Sequence, residues 1–289
     1  MSGFVAGAAR AAVGNRRHRR LLLPTALVGL AVAAVVGGTA PYRAAPTKAD
    51  PTPLVSLPAG TFAYRAAGEF LRDGVPIDAP SQTAVIDRPV TIMKRQVSRA
   101  EYDRCAAARA CRPLDDVAGV NANTVPAVGL SWTDATAYAT WLSRQTGHRY
   151  RLPTDTEWAY AAGTAYRGEP LAGEGDAANP AKRWLSTYEK ESAATPLDPS
   201  PLAFGAFGTN ANGVQDMNGN VWEWTDTCFV RHATSATGTA TALESCGVRV
   251  VEGSHRTYMS DFIRNPRGGA CSVGAPPANL GVRLVRDDG

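Results

Sequence analysis

Glycine and proline punctuate much of this chain. It holds 28 glycines and 20 prolines in 289 residues, about one residue in six where an average near 12% is usual. They fall between short apolar runs, so the spacing predicts a loop-rich fold with little regular secondary structure. The 44% hydrophobic content suffices for a sizeable core. Leu, Val and Trp are spread throughout, which excludes disorder and coiled coil.

The formal net charge of +4 is set by the N-terminus. Residues 1–40 carry Arg10, Arg16, Arg17, Arg19 and Arg20 and no acidic residue, and the rest of the chain carries 25 basic and 26 acidic residues. That balance lacks the basic excess that phosphate backbones select, so no nucleic-acid partner is expected. Asn15-Arg-Arg-His-Arg-Arg20 followed by the apolar stretch Leu21 to Ala40 reads as a basic n-region and an apolar h-region. Residues 1–40 are therefore a signal peptide or, with a run of about 20 residues, an N-terminal membrane anchor with its basic end inside. Residues 41–53 are rich in Pro, Ala and Thr and predict a linker, leaving 54–289 as one domain. On this reading the domain is periplasmic or otherwise extracytoplasmic, monomeric, and meets a membrane only through residues 21–40.

Five cysteines are present: Cys105, Cys111, Cys228, Cys246 and Cys271. In an exported chain, even numbers suggest disulfides. Cys105 with Cys111 would close a small loop and Cys228 with Cys246 a longer one. Cys271 is left over, either as a small buried apolar residue or as a reactive thiol or metal ligand. No Cys-x-x-Cys occurs, which disfavours a zinc site.

Local signals place several elements. Val55 to Phe62 reads as strand, turn and second strand, and residues 85–97 alternate around Pro89 as an edge strand. Ser98-Arg-Ala-Glu101, Ser131-Trp-Thr-Asp134 and Thr154-Asp-Thr-Glu157 each predict a capped helix start. In the second helix Ala135, Tyr138, Ala139 and Leu142 share a face, with Gly147 as the stop. Residues 164–212 have loop composition, and Leu280 to Val285 predicts the last strand.

Val128-Gly-Leu-Ser-Trp-Thr-Asp-Ala135, Tyr150-Arg-Leu-Pro-Thr-Asp-Thr-Glu-Trp158, Asp216-Met-Asn-Gly-Asn-Val-Trp-Glu-Trp224 and Asn279-Leu-Gly-Val-Arg-Leu-Val285 stand in an order that resembles the formylglycine-generating enzyme, or sulfatase-modifying factor, family. The resemblance runs from about Val55 to Arg286. It implies an α+β, single-domain, loop-rich variant of the C-type-lectin architecture. Within these blocks, Arg151, Glu157 and the tryptophans Trp132, Trp158, Trp222 and Trp224 read as a core with a buried ion pair at its edge.

The Asn-Gly-Asn segment mixes amides, backbone carbonyls and carboxylates, a set suited to calcium. The resemblance implies structural calcium on Asp216, Gly219, Val221 and Glu223, two through carboxylates and two through carbonyls. A second family calcium loop would fall near Asn179. Family members that make formylglycine hold Cu(I), a soft ion that prefers sulfur, on two cysteines after a Gly-Ser. Aligned from Gly253-Ser254, those positions are Thr257 and Phe262; aligned back from Asn279, they are His255 and Ser260. The usual copper site is absent. His255, Met259 and Cys271 are the candidates for another soft-metal site, copper or iron, and His255 and Cys271 for catalysis. His148 and His232 read as loop residues.

Three functions follow from the resemblance. The first is an exported maturation oxidase for a protein or peptide-like substrate in the cell envelope, working through non-standard residues; a relative of this kind acts in siderophore maturation. The second is a non-catalytic, lectin-like binding module. The third is a formylglycine-generating oxidase for sulfatases.

Overall fold

The structure, a computed structural model, describes residues 52–115, 119–166, 200–266 and 279–288, all within one compact unit spanning Ala45–Gly289. The basic and apolar N-terminal segment and Cys271 lie outside the described residues. No described helix is long and apolar enough to cross a membrane.

Three capped helices form where their boxes stand. Helix α1 (Arg99–Ala107), α2 (Trp132–Thr146) and α3 (Asp155–Ala162) each start on a complete capping box, at Ser98, Ser131 and Thr154. Each box satisfies two otherwise orphaned backbone donors reciprocally. Gly147 closes α2 at φ 77°, a left-handed conformation that a residue without Cβ adopts without strain. Ala135, Tyr138, Ala139 and Leu142 are all buried, and the same face packs Tyr138 against Tyr102 of α1 with centroids 5.7 Å apart. Ser131→Ala removes both the cap and the hydroxyl bond to Asp134. We expect it to lower stability by about 1 kcal/mol in urea unfolding; no change would show that α2 is fixed by packing alone.

The strands make three sheets. In the first, β1 (Leu54–Leu57), β6 (Val90–Met93), β12 (Val285–Asp287) and β7 (Arg149–Arg151) run in the order β1-β6-β12-β7. The second has the order β10-β9-β8-β3-β4, built from β3 (Glu69–Arg72), β4 (Val75–Ile77), β8 (Trp222–Thr234), β9 (Ala240–Glu252) and β10 (Thr257–Ser260), with β11 (Leu280–Gly281) parallel to β8. The third pairs β2 (Gly60–Arg65) with β5 (Ser81–Ile86).

Three expectations change here. The run 85–97 is not an edge strand: β6 is paired on both sides, by β1 and β12, and all four of its residues are buried. Pro89 stands just before it, where its missing N–H breaks no ladder bond. The run Leu280 to Val285 divides between two sheets, because Arg283 turns inward between β11 and β12. His232 is not in a loop but on β8, stacked on Phe70 at 4.4 Å; His148 is exposed.

Two cores result. One gathers Tyr102, Tyr138, Leu142, Trp224, Val251, Met259 and Leu284 behind the helices. The other gathers Ile86, Ile92, Trp158, Val214 and Val285 between α3 and the first sheet. At the edge, Arg151 holds Glu157 through two 2.7 Å bonds, the ion pair read from the sequence.

Candidate functional site

The turn between β9 and β10 carries Gly253, Ser254 and His255, and its two flanking residues hold it in place. Arg256 Nε donates to Glu252 at 2.7 Å. Its Nη2 donates to Asp155 at 2.9 Å and to the Tyr166 hydroxyl at 2.8 Å, and its Nη1 to the Arg65 carbonyl at 2.9 Å. The Tyr64 hydroxyl donates to Asp155, and the Tyr64 and Tyr166 rings stack 6.0 Å apart beside the guanidinium. The clamp thus ties the turn to α3 through Asp155 and to β2 through Tyr64 and Arg65.

Glu252 is 1% and Asp155 0% exposed. Two buried carboxylates facing one guanidinium would leave an uncompensated charge in a low-dielectric interior. Burial pushes Glu252 well above the usual carboxylate range; Arg256 opposes this and the adjacent Asp155 adds to it. Asp155 Oδ1 is buried and meets no donor, and a proton on Glu252 supplies one. Protonation of Glu252 removes that excess charge. Burial also pushes the Tyr166 hydroxyl up to about 12 and that of Tyr64 higher still, so both remain donors at neutral pH.

His255 is 8% exposed, edge-on to Trp222 with centroids 5.4 Å apart. The Trp222 indole N–H donates to the His255 carbonyl at 3.1 Å. Burial lowers the His255 pKa below the usual imidazole range, so its ring is neutral near pH 7. A Cβ at Gly253 would come within 2.9 Å of the Trp222 ring. Gly253→Ala should therefore shift the tryptophan fluorescence by displacing Trp222; an unchanged spectrum would show that the turn relaxes away instead.

The two positions reached by counting from Gly253-Ser254 differ sharply. Thr257 is buried with its hydroxyl unpartnered, whereas Phe262 is 71% exposed. Met259 is fully buried in the helix-side core, and Cys271 lies outside the described residues. Among the described residues, the His, Cys, Asp and Glu side chains close enough to share an ion are Cys228, Glu244 and Cys246, and their two sulfurs are bonded to each other. Both expected disulfides, Cys105–Cys111 and Cys228–Cys246, are formed.

Of the four calcium residues, Glu223 and Asp216 already spend their carboxylate oxygens on protein donors, which does not fit a calcium ligand set. Glu223 is fully buried and both its oxygens are taken. Oε1 accepts from Gln96 at 2.7 Å and Arg283 at 2.9 Å, and Oε2 from Trp158 at 2.8 Å and Arg283 at 2.8 Å. Arg283 spends its remaining N–H groups on the carbonyls of Met93, Lys94 and Gln215. Asp216, at φ 57°, accepts the Gly205 and Phe207 N–H groups, one on each oxygen. The Gly219 carbonyl accepts from Val221 N–H at 3.0 Å. A cation that needs six to eight oxygens finds Glu223 already neutralised by Arg283. The region of the second family loop, near Asn179, lies outside the described residues.

The sequence reading placed His255 but missed the clamp. Asp155 was read only as part of a helix start. The remaining signal was Glu252 and Arg256, opposite charges four apart across a Gly-Ser turn.

Residues 41–288 match the sulfatase-modifying factor enzyme 1-like domain. The chain is 31% identical over 172 residues to the formylglycine-generating enzyme of Streptomyces coelicolor, covering 56% of this chain and 52% of that protein. It is 34% identical over 107 residues to a mouse protein named inactive C-alpha-formylglycine-generating enzyme 2, covering 36% and 33%. The chain thus spans about half or less of the length of these relatives. Among solved structures, PvdO from Pseudomonas aeruginosa shares the fold with a TM-score of 0.52 at 23% identity, covering 81% of this chain and 94% of that one.

Proposed function

Because the chain belongs to the sulfatase-modifying factor enzyme 1-like family, we propose that it is an exported maturation factor that oxidatively modifies a protein or peptide-like substrate without a copper bis-thiolate. The observation that carries this reading is the clamped turn at Gly253-Ser254, with no cysteine at either pair of candidate thiolate positions, Thr257 with Phe262 or His255 with Ser260. His255 supplies a neutral imidazole there, able to accept a proton from a bound substrate. Trp222 supplies an adjoining aromatic face for a peptide-like chain. A siderophore-type peptide of the cell envelope is the substrate class in view.

The test is a comparison of peptide-derived products by mass in the native host, with the chain removed and then restored. The reading expects a product whose mass changes on removal and returns with the wild type but not with His255→Gln. Full restoration by His255→Gln would overturn the role of His255. No mass change in any peptide product would favour the second reading, a non-catalytic binding module, which the exposed Phe262 and the likeness to a relative named inactive support.

A further inference from the structure

The disulfide Cys228–Cys246 differs from Cys105–Cys111 in what surrounds it. Cys105 and Cys111 are 0% and 7% exposed in the helix-side core. Cys228 is half-buried on β8, and Cys246 is exposed on β9. The pair sits at an irregularity in the β8–β9 ladder: Cys228 faces Arg249 and the next residue, Phe229, faces Ser245. Cys246, Gly247 and Val248 are therefore displaced from regular pairing with β8.

A fixed cation lies against one of the two sulfurs. Arg249 Nη1 is 3.3 Å from Cys228 Sγ. Its side chain is 12% exposed, stacked at 4.0 Å on the Trp132 ring and bonded at 2.8 Å to the Asp226 carbonyl. The Asp226 carboxylate, 3.4 Å away, is half exposed and competes only weakly. The Trp132 backbone N–H donates to the Asp261 carbonyl, and the Asp261 N–H donates to the carbonyl of Gly247, next to Cys246. The exposed Glu244 carboxylate lies beside both sulfurs and opposes negative charge there. The guanidinium alone is buried and stacked, and it touches Cys228.

We propose that Cys228–Cys246 is a thiol–disulfide exchange site that oxidises an external thiol, with Cys246 as the attacked sulfur, Cys228 as the leaving thiolate and Arg249 as its stabilising group. A thiolate attacks Cys246 Sγ and forms a mixed disulfide; the Cys228–Cys246 bond breaks and its electron pair leaves on Cys228 Sγ. A second thiolate attacks the incoming sulfur of the adduct and releases Cys246. Two external thiols become one disulfide, and the protein disulfide takes up the two electrons and two protons. Exchange is fast where the attacked sulfur is accessible and the leaving thiolate stabilised, and this pair meets both conditions with a defined direction. The proposal does not depend on the maturation reading, since it uses neither His255 nor the clamped turn.

The experiment exposes the full, oxidised chain to glutathione, traps free thiols by alkylation at intervals and maps them by mass spectrometry. Cys228–Cys246 should open roughly tenfold or more faster than Cys105–Cys111, with the first glutathione adduct on Cys246. Equal opening rates, or a first adduct on Cys228, would overturn the proposal whatever any variant does. In a Cys246→Ser chain, the Cys228 thiolate, followed by its ultraviolet absorbance, should form below the usual thiol value of about 8.5. It should return toward that value with Arg249→Met and stay low with Arg249→Lys, which keeps the charge. A Cys228 titration unmoved by Arg249→Met would remove Arg249 from the mechanism.

Discussion

Arg283→Met should lower the stability of the fold by about 3–5 kcal/mol, because removing one partner of a buried ion pair strands the other charge. Glu223 and Arg283 are both 0% exposed. Four donors converge on one carboxylate, and they come from β8's neighbours on every side: Gln96 after β6, Trp158 on α3, and Arg283 between β11 and β12. Loss of Arg283 therefore loosens the junction of both cores at once. The loss in guanidinium unfolding should be the same with calcium added and with a chelator. A loss below about 1 kcal/mol would show that Glu223 finds other compensation. A loss confined to calcium-loaded protein would restore the ion to this site.

Glu252 offers a sharper contrast, since the two simplest substitutions should behave oppositely. Glu252→Ala leaves Arg256 Nε without its acceptor and Asp155 Oδ1 without a donor, and should cost about 1–3 kcal/mol, the penalty of buried polar groups left unpaired. Glu252→Gln keeps an acceptor for Arg256 Nε and a donor for Asp155, mimicking the protonated acid, and should stay within about 1 kcal/mol of wild type near neutral pH. The pH dependence follows from the raised folded-state pKa. The folded chain keeps a proton that the unfolded chain releases near its ordinary value. The stabilisation is therefore complete below that ordinary value and is lost as pH rises through the folded pKa. Wild type should thus lose melting temperature relative to Glu252→Gln as pH is raised through that window. Glu101, Asp134 and Glu157 are shifted downward, with basic partners or cap N–H groups outweighing their burial. Their losses occur on acidification and cancel between the two proteins. Parallel melting curves across pH would mean that Glu252 is ionised in the folded chain.

The parts of this fold written locally were legible. Capping boxes act over four residues, so the helix starts at Ser98, Ser131 and Thr154 could be read from the chain alone, as could the Gly147 stop. The long β8–β9 hairpin could not. The first eight residues of β9 are all exposed and carry no inward-outward alternation, so their pairing is fixed by β8 and the Cys228–Cys246 link. Pro89 misled in the opposite direction, since proline suggests an edge although it ends one residue before a central strand. In the site, His255 was visible as the histidine directly after Gly-Ser. Glu223 was read as a cation ligand because the segment's chemistry suits oxygen-loving ions, and only the fold reveals that Arg283, 60 residues away, neutralises it. Asp155 and Glu252 meet across almost a hundred residues, a separation no local pattern encodes.

The most direct test of the central claim, that this family member works without a copper–thiolate centre, is its copper content. The purified chain with both disulfides intact is loaded anaerobically with Cu(I), desalted and analysed for metal. Copper far below one equivalent is the result predicted by the lack of cysteine at both pairs of candidate positions, Thr257 with Phe262 and His255 with Ser260. One retained equivalent that survives desalting would contradict the account and return the chain to the copper oxidases of its family.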